Sequence, residues 1–254
     1  MTPVLLLASD NPFTWFALVP GLKEHPQWTP FYLSMTAVVL LLGLAFLARL
    51  GLPRDLDRRE SLVPQGRLTV RTLFELLGDA LLGLVKSNLG HDAHRYYPLL
   101  AGAFLYILFN NLLGLVPGFS PPTANINTNI GMGLTIFLVY NLSGLIRQGP
   151  VDYIKHFMGP VWYLAWLMLP IEIIGHLARP ASLSIRLYGN MTGDHTVLDI
   201  FMVQLPHATF PILAFGIPVV FLALGLFVCV VQAFVFTLLS TIYISQAVAH
   251  EEHH

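Results

Sequence analysis

The 51 residues from Tyr96 to Ile146, YYPLLAGAFLYILFNNLLGLVPGFSPPTANINTNIGMGLTIFLVYNLSGLI, contain no Asp, Glu, Lys or Arg. A second run of 51 residues, Ile200 to His250, is equally free of them. A helix needs ~20 apolar residues to cross ~30 Å of hydrocarbon, so each run holds two crossings or one long tilted one. Around these runs the 254-residue chain is 55% hydrophobic and only 11% charged. Soluble domains carry roughly 25% charged residues. With net charge −1 and mean hydropathy +0.67, the composition excludes a disordered chain and a nucleic-acid-binding domain. It defines an all-α, polytopic integral membrane protein. The lone Cys229 sits in an apolar run and reads as a small buried hydrophobe. No Cys/His spacing suggests a metal, and no cofactor is expected.

Working outward, residues 116–129 (VPGFSPPTANINTN) break the first run with three prolines and three asparagines. This predicts a helical hairpin over 96–147. Upstream, 1–30 is a mixed segment without a basic n-region, so no cleaved signal peptide is expected. Residues 31–52 form a first span, and 53–95 a polar link. Within that link, 68–89 has leucines at helical spacing and four charges, which predicts an interfacial amphipathic helix. Downstream, 157–203 and 207–249 read as two helices too long to cross upright. The apolar stretch 161–201 alone is ~60 Å long at 1.5 Å per residue, so it must bend, tilt or break, with Pro170 and Pro180 as sites for a bend. The last two helices therefore read as a tilted hairpin lying against something large in the membrane. Eight of the thirteen basic residues lie in 49–95, which makes that link cytoplasmic. Alternation then gives about five crossings, with the N-terminus outside and the C-terminus inside. The pattern fits a bacterial inner membrane.

The helix over 157–203 carries Glu172, His176, Arg179, Arg186, Asn190, Asp194, His195 and Asp199. A charge at mid-membrane costs at least ~2.5–3.5 kcal/mol, so such groups face protein or water. Glu172, Arg179 and Arg186 are seven apart, each within about 20° of the last around the helix. His176 follows Glu172 by four, and Asn190 follows Arg186 by four, so one polar stripe runs down one face. Asp194 and His195 have turned away from it by a quarter turn or more. Titratable groups at both ends with a permanent cation between them describe two half-channels separated by an electrostatic barrier. Glu, Asp and His pass protons, whereas Arg, with pKa above ~12, does not. The alternative is internal pairing that only fixes packing; Arg179, next to Pro180, is then a kink partner for Glu172, and the histidines are packing groups. On the last helix Gln232 is the deepest strong polar group, with an interhelical hydrogen bond as its bland role. Gly189 and Gly225 read as sites of close helix approach. The terminal HEEHH reads as a solvated end.

SLSIRLYGNMTGDH, Ser182 to His195, strongly resembles the a subunit of the rotary F-type ATP synthase. VQAFVFTLLSTIYIS (231–245), NLLGLVPG (111–118), PPTANINTNIGM (121–132) and IEIIGHLARPASLS (171–184) also fit that family, which covers about residues 70–249. The resemblance implies a stationary proton channel beside a rotating ring of c subunits. Arg186 matches the family's essential arginine, which faces each ring carboxylate. Gln232 matches the glutamine near it. Asn190 and Ser182 match positions on the aqueous path, and Glu172 matches an acidic position on the cytoplasmic side. ATP chemistry belongs to other subunits, and no phosphate-binding loop occurs here. Peripheral stalk b subunits are implied partners, the 68–89 helix being one contact. H⁺ is the expected ion, with Na⁺ left open.

One departure stands out. Many bacterial members carry Glu at the position of His195 and His at that of Gly225. Here Asp194 or Asp199 is expected to supply the outer carboxylate, with Gly225 leaving room for imidazole or water. Gly114, where some members carry an acid, departs as well. Two other classes compete on the residues alone. A self-contained transporter requires a substrate pocket and usually inverted repeats, of which there is no sign. A structural scaffold would tolerate an apolar residue at 186.

Overall fold

The computed structural model describes residues 28–50, 69–116, 119, 121–150, 153, 163, 165–204 and 211–248, with the backbone alone at 50, 70, 165, 194–195, 198–204 and 211–218. The expected N-terminal segment, most of the 53–95 link before the amphipathic helix, and the terminal HEEHH lie outside these residues. Six α-helices follow in order: α1 (Thr29–Leu50), α2 (Val70–Leu89), α3 (Ala93–Gly114), α4 (Ile126–Gln148), α5 (Ala165–Gln204) and α6 (Pro211–Val248). No strand occurs among the described residues. The fold is all-α.

Local chemistry sets the helix ends. Thr69 caps α2, its hydroxyl accepting from the Thr72 amide at 3.3 Å. Gly90, at φ 55°, ends α2 and returns its amide to the Lys86 carbonyl. A single 3₁₀ turn over Gly90–Asp92 then starts α3. Asn125 caps α4, its side chain accepting from the Asn127 amide at 2.9 Å. Gly149, at φ 80°, closes α4 onto the Leu145 carbonyl. These two glycines are the positive-φ residues among those described.

Four stretches are long and apolar enough to cross a membrane: Thr29–Arg49, Arg71–Gly114, Ile126–Gln148 and Val219–Val248. The second joins α2 to α3. Helix α5 is not among them, because its charged stripe lowers its hydropathy. Outward-facing Val39, Leu76, Leu138 and Phe227 are each more than half exposed, as suits contact with lipid.

Helix α5 runs through both Pro170 and Pro180 as one 40-residue element. Pro180 has no amide to bond the carbonyl of His176 four residues back. The Tyr140 hydroxyl on α4 donates to that carbonyl instead, at 3.2 Å. One turn later the Ser184 hydroxyl serves the Pro180 carbonyl at 2.9 Å and also the Asn129 carbonyl at 2.9 Å. In hydrocarbon each freed backbone group needs such a partner.

Helix α4 packs along α5, and α6 packs against α3, α4 and α5. Leu100, Ile107, Ile136, Tyr140, Leu187 and Phe236 are the large fully buried side chains between them. One end of the bundle is tied by several polar contacts. Arg147 pairs with Asp92, the Gln148 amide donates to the Ala247 carbonyl at 3.0 Å, and Ser245 donates to the Asn88 carbonyl at 2.7 Å. Helix α2 packs on α3 and on α6.

The α4–α5 contact depends on Gly133. A Cβ there would meet the Ser184 hydroxyl and lie 2.8 Å from the Pro180 carbonyl oxygen. At Gly131 a Cβ meets nothing within 4 Å. Gly133→Ala is therefore expected to destabilise the bundle by about 1–3 kcal/mol through overpacking. Gly131→Ala should leave it unchanged or slightly stabilised. Thermal unfolding of the purified protein in detergent checks both.

Candidate functional site

Helix α5 buries one face and exposes the other. Leu183, Ser184, Leu187 and Met191 are buried. Ser182, Ile185, Arg186, Gly189 and Gly193 are exposed. Arg186 makes no hydrogen bond or ion pair to any described residue. It stands on a face of small and aliphatic residues, where a Cβ at Gly189 or Gly193 would meet nothing within 4 Å. Gly189 is thus not a site of close approach within the chain, contrary to the expectation from sequence. Its open side lies on the face that carries Arg186.

The other stripe residues divide by depth. Asn190, one turn after Arg186, donates from Nδ2 to Oε1 of Gln232 at 2.7 Å. Gln232 is 4% exposed while Asn190 is exposed, so this bond joins α5 to α6 at the edge of the packed interface. In the N-terminal half of α5, the His176 imidazole lies against the rings of Tyr140 and Phe137, with centroids 5.0 and 5.5 Å away. Its Nε2 is 2.7 Å from Oδ1 of Asn141 on α4. The Tyr153 hydroxyl donates to the same oxygen at 2.8 Å. Arg179 lies over the ring of Tyr243 on α6, 5.5 Å from its centroid. This corrects the alternative that Arg179 serves as a kink partner for Glu172. A guanidinium stacks well on an aromatic face, and α6 places one within reach. Glu172 makes no ion pair or hydrogen bond among the described residues and is half-buried.

Asp194, His195 and Asp199 continue α5, and their side chains lie outside the described residues. Gly225 of α6 is a site of close approach, as expected from sequence: a Cβ there would sit 2.8 Å from Cδ2 of Leu115 at the end of α3.

Several polar residues escaped the sequence reading because they come from other helices. The Thr123 hydroxyl donates to Asn111 Oδ1 at 2.7 Å, and Asn129 Nδ2 donates to the Thr123 carbonyl at 2.7 Å. Ser184 joins this chain through the Asn129 carbonyl. Asn110, Asn111, Thr123 and Asn129 are fully buried, yet Asn110 Oδ1, Asn111 Nδ2 and Asn129 Oδ1 have no partner among the described residues. Such groups in proteins are ordinarily satisfied by water. Buried amides inside apolar runs, NN at 110–111 and NTN at 127–129, are the available signal in the sequence.

Apolar helices packed against one face of α5, with an outward arginine that has no partner among the described residues, define a multi-pass membrane protein. The sequence model of the family described as ATP synthase A chain matches residues 30–245. ATP synthase subunit a of Bdellovibrio bacteriovorus is 43% identical over 94% of this chain and 99% of its own length. ATP synthase subunit a 1 of Syntrophotalea carbinolica is 45% identical over 85% of this chain and 83% of its own. ATP synthase subunit a of Sorangium cellulosum is 40% identical over 94% of this chain and 95% of its own. The chain belongs to the ATP synthase A chain family. It is a multi-pass protein of a bacterial inner membrane, a membrane-sector subunit rather than a catalytic one.

The Leu115–Gly225 contact generates a test. Gly225→His, which places imidazole at that point of α6, should lower the yield of assembled complex several-fold. Adding Leu115→Ala should restore it by clearing the methyl group, since the conflict is steric. Western blotting of washed membranes reads both.

Proposed function

We propose that this chain is the stationary proton-conducting subunit of an ATP synthase, with two aqueous half-channels separated by Arg186. The observation that carries the reading is the exposed guanidinium of Arg186, without an ion pair among the described residues, on a face of small residues along α5. A cation in the membrane needs a counter-charge. A carboxylate on a neighbouring ring of c subunits supplies it, and Ser182, Gly189 and Gly193 let a helix come close. At 4 Å and an effective dielectric of 20, the attraction is about 4 kcal/mol in favour of the ionised carboxylate. A carboxylate reaching Arg186 therefore gives up its proton on one side of the arginine. It is reprotonated on the other before it turns into lipid.

In this reading α5 runs from the cytoplasmic to the outer side, with the N-terminus of the chain outside and five crossings. Glu172 and His176 then belong to the cytoplasmic half-channel. Asn190, Gln232, Asp194, His195 and Asp199 lie on the outer one, with Ser182 beside the arginine. The buried amides of Asn110, Asn111 and Asn129 support water on the outer side, because they have unpartnered polar atoms next to the 121–125 turn. The amphipathic α2 is left for the interface and the peripheral stalk b subunits. The translocated ion is H⁺ in this scheme, with Na⁺ decided by the ring.

Arg186→Ala is expected to abolish ATP-driven proton pumping in inverted membrane vesicles while ATP hydrolysis persists. Fluorescence quenching of a pH-sensitive dye measures the pumping. Pumping that survives the substitution at more than half the wild-type rate would sink the reading and return the chain to a scaffold role.

A further inference from the structure

Asn141 lies on α4, a helix outside the polar stripe of α5, and it joins three elements. Its Nδ2 donates to the Phe137 carbonyl of its own helix at 2.7 Å. That bond fixes the amide's orientation, since the reversed amide would bring Oδ1 against a carbonyl oxygen. Oδ1 is thereby turned to accept, and it accepts twice, from the Tyr153 hydroxyl at 2.8 Å and from His176 Nε2 at 2.7 Å. Tyr153 reaches this point because Gly144 has no side chain; a Cβ there would lie 2.6 Å from Tyr153 Cε2. The Tyr153 amide also donates to the Gly149 carbonyl at 3.1 Å, so Tyr153 is held by its backbone as well as its hydroxyl.

An acceptor oxygen 2.7 Å from Nε2 requires a hydrogen on that nitrogen. We propose that Asn141, braced by Tyr153, is a positioning residue that locks His176 with Nε2 protonated, so that the imidazole takes up and releases its proton only at Nδ1. This rests on the reading above, in which His176 belongs to the cytoplasmic half-channel. Among the described residues, the charged and titratable groups around the ring are Glu172 and Arg179 on α5, Tyr140 on α4, Tyr153 after α4 and Tyr243 on α6, and Glu172, one turn before His176, is the carboxylate among them. A fixed tautomer matters for a relay. A neutral imidazole free to swap tautomers must re-form its hydrogen bonds at each passage, whereas a pinned one offers the same nitrogen every time.

The test uses the whole complex in inverted vesicles, with passive proton conduction measured after its peripheral catalytic sector is stripped. Asn141→Leu is expected to slow conduction about tenfold, the factor of one lost hydrogen bond of ~1.4 kcal/mol. Tyr153→Phe should slow it less. On a His176→Gln background Asn141→Leu should add nothing, because it acts through the imidazole. An Asn141→Leu effect that persists undiminished on that background, or no effect at all, overturns the proposal. Wild-type complex labelled with ¹⁵N-histidine provides a second measurement that needs no assembly of the Asn141 variant. The difference spectrum against His176→Gln at pH 8 should show a neutral ring protonated at Nε2; a ring protonated at Nδ1 overturns the proposal. Arg186→Ala in inverted vesicles that keep the peripheral catalytic sector separates the two failures. If it still pumps on ATP, the half-channel reading falls; if it does not pump while Asn141→Leu conducts normally, only the Asn141 proposal falls.

Discussion

Hydrocarbon does not accept a polar group without a partner, and α5 carries more polar groups than any other helix of this bundle. That constraint accounts for most of the arrangement around it. Four polar or charged side chains of α5 meet partners on α4 or α6, while the buried Thr192 hydroxyl has none among the described residues. Asn190 meets Gln232, His176 meets Asn141, Ser184 meets the Asn129 carbonyl and Arg179 lies on the ring of Tyr243. Even the carbonyl freed by Pro180 has the Tyr140 hydroxyl. Arg186 is the strong cation of α5 left facing outward without a described partner, which makes a second membrane component the natural source of its counter-charge.

The same constraint explains why the bundle looks inverted beside a soluble protein. Leucine, valine and phenylalanine cover its outside, and buried asparagines and threonines lie within. A buried amide is costly when unpaired and selective when paired. The chain of Asn111, Thr123, Asn129 and Ser184 fixes the 121–125 turn onto α5 with directional bonds, whereas leucine packing would allow the helices to slide.

Helix type and approximate position were legible in the sequence because charge-free runs and proline-rich turns are strong, local signals. The stripe on α5 was legible because 3.6-residue periodicity places Glu172, His176, Arg186 and Asn190 without help from the rest of the chain. Partners were not. Asn141 and Tyr153 are separated from His176 by 35 and 23 residues, and nothing in a linear pattern brings them together. Gly225 was legible as a close approach, but its partner Leu115, from another helix, was not. Gly189 differs, since a Cβ there meets nothing within 4 Å among the described residues.

The Gly133 contact has a mechanical consequence. In the proposed role, a ring turning past Arg186 pushes the helix sideways with a force opposite to the one that drives the ring. Two residues from Arg186, Ser184 is seated on Gly133 and bonded to the Asn129 carbonyl, so the thrust passes into α4 at nearly the height where it arises. At the far end of α4, Arg147 grips Asp92 and Gln148 grips the end of α6. In that proposed role helix α4 acts as a strut, braced in its first two turns against the load and anchored at its foot, and its stiffness limits the recoil of Arg186.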